Sequence, residues 1–301
     1  MKIVFLFSFI SLISQCLDIL RDLCYNDSVD YFQTRNAMKY VIDHDLHLHS
    51  HLSSCSGHPE QTAENLLRYA RENGLRHICL TDHFWDEKVE GASKWYQPQN
   101  YAHISRALPL PVDDGIRFDF GCETEMDRYL TLGISRETMD QLDFVIVPTS
   151  HLHMSGFTIP EDMVSAEDRA RYYMERNHAL LDMELPFEKM GLAHFTCSLL
   201  AKNCAGTRDD ILNTISDGQY AEFFERVASK GMGVELNTNV NDASNQAVLR
   251  PYRIALACGC TFYFGSDAHT PDELSAARAR FEAMAEALGL TENHKFAFVR
   301  D

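Results

Sequence analysis

The feature that most constrains the fold is an alternation that begins near residue 40. Short apolar, β-branched runs at 40–47, 77–82, 117–122, 143–149, 190–194, 232–237 and 261–265 are separated by segments of helical period. Ala63, Leu66, Leu67 and Ala70 recur at i, i+3, i+4 and i+7 before Gly74, and Leu274, Ala277, Phe281, Met284 and Leu288 repeat the pattern near the end. Uninterrupted apolar runs of this kind are strands of a parallel sheet buried on both faces. Seven βα units suit a closed barrel better than an open sheet, although alternation alone leaves an open sheet possible. The expected architecture is α/β, a distorted seven-stranded TIM-like (β/α) barrel spanning residues 38–301.

Polar residues gather where these strands end. The ends read Asp-Leu-His-Leu-His (45–49), Thr-Asp-His (81–83), Gly-Cys-Glu-Thr-Glu (121–125), Thr-Ser-His-Leu-His (149–153), Ala-His (193–194), Glu-Leu-Asn-Thr-Asn (235–239) and Gly-Ser-Asp-Ala-His (265–269). In a parallel barrel all strand ends converge on one rim, the face that carries catalysis. Each motif alone has an ordinary explanation. His47 and His49 lie on one face of a strand, a spacing common outside metal sites, and Asp82 with His83, or Asp267 with His269, can be simple turn chemistry. Ligand-type residues at seven successive strand ends are improbable as coincidence, so a site for several divalent ions is expected.

Composition agrees. There are 44 acidic residues against 27 basic, a formal charge of −17, and 14 histidines. Such a surface disfavours a broad nucleic-acid footprint, whereas imidazole beside surplus carboxylate suits divalent metal. The nine cysteines are odd in number and scattered, which predicts reduced thiols and a cytoplasmic location. Cys258 and Cys260 lack a second pair and read as packing. Residues 1–37 form an N-terminal extension in which 3–17 carry no charge and fall short of the roughly 20 residues that span a bilayer. A dispensable extension, a membrane-associating helix and a cleaved signal all stay open. No stable membrane partner is expected.

The ordered motifs His47-x-His49, Thr81-Asp82-His83, Gly121-x-Glu123, His151, His194 and Gly265-Ser-Asp-Ala-His269 resemble those of the PHP superfamily, the polymerase and histidinol phosphatase metal-dependent phosphoesterases, over residues 40–272. The resemblance implies two or three divalent ions of zinc, manganese or iron. His47, His49, Glu123 and Asp267 would hold the first, Glu123 would bridge to a second held by His151 and His194, and His83 and His269 would hold a third. The last ligand of the third site falls at Cys55, with His58 three residues on, where family members often carry His or Asp. A thiolate there would favour zinc.

The implied activity is hydrolysis of a small phosphomonoester by metal-activated hydroxide, the substrate being histidinol phosphate or a nucleotide or sugar phosphate. Glu123 and Asp82 are the candidate catalytic carboxylates, Asp82 by orienting His83 or taking a proton. Arg250 and Arg253 are candidate phosphate clamps by charge type and position. An amidohydrolase-type metal hydrolase and a non-catalytic metal-binding module are the alternative readings.

Overall fold

The computed structural model describes residues 38–237 and 242–297. Eight strands form: β1 (His44–Leu48), β2 (His77–Leu80), β3 (His83–Phe84), β4 (Arg117–Thr124), β5 (Phe144–Val147), β6 (Met190–Leu192), β7 (Gly233–Asn237) and β8 (Phe262–Gly265). All pairings are parallel, in the order β1-β2-β4-β5-β6-β7-β8, with β3 set against β4. Seven of the eight answer the apolar runs. The eighth, β3, is a two-residue strand inside the Thr-Asp-His motif, and it pairs His83 with Glu123.

The barrel is nearly closed, and its seam between β1 and β8 is made partly by side chains. His44 Nε2 accepts from the Phe264 N–H at 3.0 Å and Asp45 Oδ1 from the Ser266 N–H at 2.9 Å. Main-chain bonds follow at the upper end of β1, where Asp267 N–H, just past β8, donates to the His47 carbonyl at 2.8 Å. Side chains thus satisfy backbone groups that a regular ladder would otherwise pair. This is the distortion expected of the barrel.

Inside lie Leu46, Cys79, Phe144, Ile146, Ala193, Tyr263 and Phe296, all buried. Tyr263 crosses the lumen with its ring 5.4 Å from Phe144. Only glycine fits opposite it: a Cβ on Gly191 would lie 2.4 Å from the Tyr263 hydroxyl. The outer layer is α1 (Ala63–Glu72), α2 (Tyr101–Ile104), α3 (Arg136–Met139), α4 (Ala166–Asp182), α5 (Arg208–Thr214), α6 (Asp217–Lys230), α7 (Gln246–Ala257) and α8 (Pro271–Leu288). The periodic residues of α1 and α8 face inward as their spacing requires, Leu66, Leu67 and Ala70 on one and Leu274 through Leu288 on the other. Thr270 and Glu273 close a capping box at the start of α8, followed by Pro271.

Among the described residues, the strand-linked unit lies within 42–289 and 294–297. A second small unit, 38–41 with 290–293, contains an antiparallel bridge between Lys39 and Thr291. The extension 1–37 lies outside the described residues, as do the last two residues of the 235–239 motif. Among the described residues no helix is long and apolar enough to cross a membrane. Their seven cysteines are all free, and Cys260 is buried with its Sγ 3.3 Å from the Phe224 carbonyl, the packing role expected of it.

Candidate metal centre

The strand ends deliver seven of the expected ligands to one place, as three overlapping sets whose ligand atoms lie within 4.8 Å of one another. They are His47, His49 and Asp267; His47, Glu123 and His194; and His49, His83 and His269. His47 Nε2 stands 3.0 Å from His49 Nε2, and Asp267 Oδ1 lies 3.4 Å from the first and 3.1 Å from the second. Glu123 reaches both ways: Oε1 is 3.0 Å from His194 Nε2 and Oε2 is 2.8 Å from His83 Nδ1. All are buried or nearly so.

Two ligands stand on strained backbone. His194 and Asp267 have φ of +27° and +54°, a region that costs about 1–3 kcal/mol for an L-residue and persists where the surroundings enforce it. The His194 N–H is held by Glu235, and the Asp267 N–H by the His47 carbonyl.

Behind the ligands a layer of acceptors fixes each ring. Glu235 Oε1 sits 2.6 Å from His47 Nδ1. Ser53 Oγ sits 3.0 Å from His49 Nδ1 and also takes the His83 N–H. Ser150 Oγ meets His194 Nδ1 at 3.0 Å, and the Asp267 carbonyl meets His269 Nδ1 at 2.8 Å. Glu273, the capping residue of α8, accepts the His269 N–H at 2.6 Å. With Nδ1 committed in this way on His47, His49, His194 and His269, Nε2 is the atom left to ligate, whereas His83 turns its Nδ1 toward Glu123.

The electrostatics show that the cluster wants positive charge. Burial disfavours the charged form of His47, yet Glu235, Asp267 and Glu123 outweigh it and hold the ring well above its usual range. Burial opposes the charge on Glu123 and Asp267 too, but His83 and His47 hold the former well below the carboxylate range, and His47 does the same to the latter. His49 goes the other way, pushed down by burial and by His269 and His83, and its Nε2 lies 3.0 Å from that of His47. Protons thus occupy positions that a divalent cation would take, and binding one would release them. Glu123 Oε2 and His83 Nδ1 are buried 2.8 Å apart, yet neither has a hydrogen-bond partner, and a cation would satisfy both. The donor set fits divalent metal.

His151 and Cys55 stand beside these sets. His151 stacks on His194 with ring centroids 4.7 Å apart, and its Nδ1 is 2.9 Å from Glu125 Oε2. Cys55 is hydrogen-bonded to His269 and His83; burial raises the thiol, but these partners win and bring it to about 7. His58 stays away, its Nδ1 accepting from the Glu60 N–H.

Three expectations need correction. Asp82 does not face the reacting side: it is buried, and its oxygens are filled by the Ser50 N–H at 2.7 Å and by the hydroxyls of Ser50 and Ser53, each at 2.6 Å. Through Ser53 it positions His49 and the His83 backbone. Arg250 and Arg253 are not at the site. Arg250 is bound to Asp217 at 2.6 Å and to the Leu212 and Ile215 carbonyls, and Arg253 to Gln246. Helix α7 leads away from the rim, so Arg250 points to the neighbouring helices and Arg253 back along its own.

Glu235 and Glu125 stood in the strand-end motifs without a role, and only the fold gives them one. Glu125 is gripped by the fully buried Arg176, whose Nη2 is 3.2 Å from Oε1. That arginine also donates to the carbonyls of Thr149, Met126, Asp127 and Thr158. Nothing in the sequence around Arg176, mid-helix in α4, distinguishes it from a surface residue.

The cluster floors a cavity of about 390 Å³, a size suited to a small ligand. Trp95, Tyr96, Met154 and Leu199 form its apolar part, and His153 lines it with a ring held down to about 3 by burial and by His151, His83 and His194. Trp85 is core instead, packed on Phe157.

The PHP domain family model matches residues 45–239, a span that contains most of this cluster and two thirds of the chain. The chain belongs to the PHP domain family. It is 28% identical over 247 residues to a probable histidinol-phosphatase of Deinococcus radiodurans, covering 76% of this chain and 87% of that one. It is 29% identical to a probable phosphatase of Caldicellulosiruptor saccharolyticus over 103 residues, 34% of this chain and 40% of the other. Among solved structures, histidinol phosphate phosphatase from Lactococcus lactis, complexed with zinc, L-histidinol and phosphate, superposes with a TM-score of 0.50 at 18% identity, covering 80% of this chain and 93% of that one. That likeness concerns the fold. The curated relatives are named as phosphatases, the enzyme class to which the motifs pointed.

Proposed function

We propose that this PHP protein is a metal-dependent phosphomonoesterase acting on small phosphorylated alcohols. The observation that carries the reading is the sharing of ligands: His47, His49 and Glu123 each belong to a chain of contacts that joins three ligand sets at the floor of one cavity. His47, His49 and Asp267 would hold one ion, Glu123, His194 and His151 a second, and His83, His269 and Cys55 a third. Bound divalent ions would polarise phosphate oxygens and lower the pKa of a water in the cavity.

The chain's own residues do the rest. Glu123 is aimed at imidazoles on both sides, so its two oxygens fix the spacing of neighbouring sites. Glu235, Ser53 and Glu125 hold the ring orientations, which keeps the donor set assembled before substrate arrives. Among the described residues lining the cavity none is Lys or Arg, so a phosphate entering it meets the metal ligands and not a guanidinium clamp. A thiol held near 7 at the third site makes zinc the best-suited ion there.

The test is Glu123→Gln, with metal content and hydrolysis of a chromogenic phosphomonoester measured together. Loss of at least one bound ion and a fall of about 100-fold or more in turnover are expected. Undiminished metal and undiminished hydrolysis would overturn the proposal.

A further inference from the structure

Resting on the phosphomonoesterase reading, we propose that the cavity selects esters whose leaving alcohol carries an uncharged aromatic group, bound by Trp95, Tyr96, Met154 and Leu199, and disfavours alcohols that carry an ammonium. The first observation is the disposition of carboxylates. An ammonium brought into this cavity needs a counter-charge, and among the described residues the carboxylates at the cluster are already engaged. Glu123 and Asp267 face the imidazoles, Glu125 is held by Arg176 and His151, and Glu235 by His47 and the His194 N–H. The positive charge gathered at the cluster would repel a second cation.

The second observation is what the wall offers instead. Trp95, Met154 and Leu199 are only partly buried, and all three line the cavity with apolar surface. Trp95 and Tyr96 stand edge to face with centroids 4.7 Å apart, and Trp95 stands 5.1 Å from the ring of His83. The aromatic corner therefore begins within one ring's width of a metal ligand, where the first carbons beyond a phosphate oxygen would lie. A cation–π contact with the partly exposed Trp95 returns too little against a neighbouring cluster of like charge. A flat neutral group loses nothing there and stacks.

The third observation is His153, whose Nδ1 is buried in the cavity wall with no hydrogen-bond partner. It adds a polar atom beside the apolar corner without adding an anion. A hydroxyl or amide on an uncharged leaving group has a partner there, so polarity at this wall needs no counter-ion.

The test compares phenylethyl phosphate with aminoethyl phosphate and histidinol phosphate on the metal-loaded full chain, since the alcohols differ little in intrinsic leaving ability. The phenyl ester should have a kcat/KM at least about tenfold above the aminoethyl ester, expressed mainly in KM. In Trp95→Ala and Leu199→Ala that ratio should collapse toward one. A tenfold preference for either amine-bearing ester, or a ratio unchanged in both variants, overturns the proposal while leaving the phosphatase reading intact. Should the metal-loaded protein hydrolyse none of the esters, that reading fails, and binding of phenylethylphosphonate decides the pocket by itself. Saturable quenching of tryptophan fluorescence that is lost in Trp95→Phe supports the aromatic pocket; no quenching, or equal quenching by aminoethylphosphonate, overturns it.

Discussion

Gly265 shows how much of the site depends on single atoms. It ends β8 directly beside Glu235, and a Cβ there would lie 1.8 Å from Glu235 Oε1 and 2.7 Å from the His47 Cβ. Only a hydrogen leaves room for the bond from His47 Nδ1 to Glu235. Gly265→Ala should therefore displace Glu235, and Glu235→Gln should remove its charge; each is expected to weaken metal affinity and activity by about 10–100-fold, as loss of a ligand's orienting partner does. Metal titration followed by circular dichroism separates lost binding from lost fold. Cys55 gives a second residue-level expectation. With its thiol brought down to about 7, thiolate is lost below that pH and gained above it, so alkylation of Cys55 in metal-free protein should rise through neutrality. Cys79 and Cys122 are raised well above the usual thiol range by burial and should stay unmodified until the protein unfolds. Peptide mapping after alkylation at several pH values reads both. Equal labelling of Cys55 and Cys79 would refute the assignment.

At the scale of elements, two joints hold the rim in shape. One is the seam, where His44 and Asp45 replace main-chain ladder bonds between β1 and β8. Removing one buried acceptor that satisfies a backbone N–H costs about 1–3 kcal/mol, so His44→Ala should lower the denaturation midpoint by that equivalent with metal ligands chemically untouched. The other joint is α4 to the end of β4, through Arg176. A buried ion pair broken on one side costs about 3–5 kcal/mol, and four carbonyls lose a donor as well. Arg176→Met is expected to destabilise the protein by that order. It should also free Glu125 from its grip and so loosen His151, visible as a weaker second metal site in a titration. Arg176→Lys should recover part of the stability only, because an ammonium cannot reproduce the spread of a guanidinium fork.

Across the whole molecule the charge balance and the cluster belong to one argument. A chain of formal charge −17 repels anions over most of its surface, yet each divalent ion adds two positive charges at the rim. Small phosphorylated substrates of the proposed kind would meet such ions, whereas a polyanion would meet the acidic surface first. Because the candidate ligands come from the ends of six strands, ion binding should also tighten the barrel. Chelation is expected to lower the melting temperature, and free metal at about 1,000 times its Kd should restore about 4 kcal/mol. A melting temperature indifferent to chelator would show that the cluster binds no ion in the folded protein.

The sequence by itself determined the barrel and pointed to the candidate ligands. Parallel strands must be buried on both faces, so they are written as apolar runs, and residues that interrupt such runs at their ends have nowhere to go but the rim. His47, His49, His83, Glu123, His194, Asp267 and His269 were legible for that reason, and the structure brings them together. What the tertiary structure alone decided is who stands behind them. Asp82 lies next to His83 in the chain, but the fold turns it to two serines; Arg250 has the charge of a phosphate clamp, but α7 carries it to Asp217. Arg176 has no local signature, and it becomes the anchor of Glu125 only because α4 lies against the end of β4. Strand-end position is set by local pattern, which one sequence displays. The partner of a buried charge is set by contacts between residues tens to hundreds of positions apart, which only the folded chain displays.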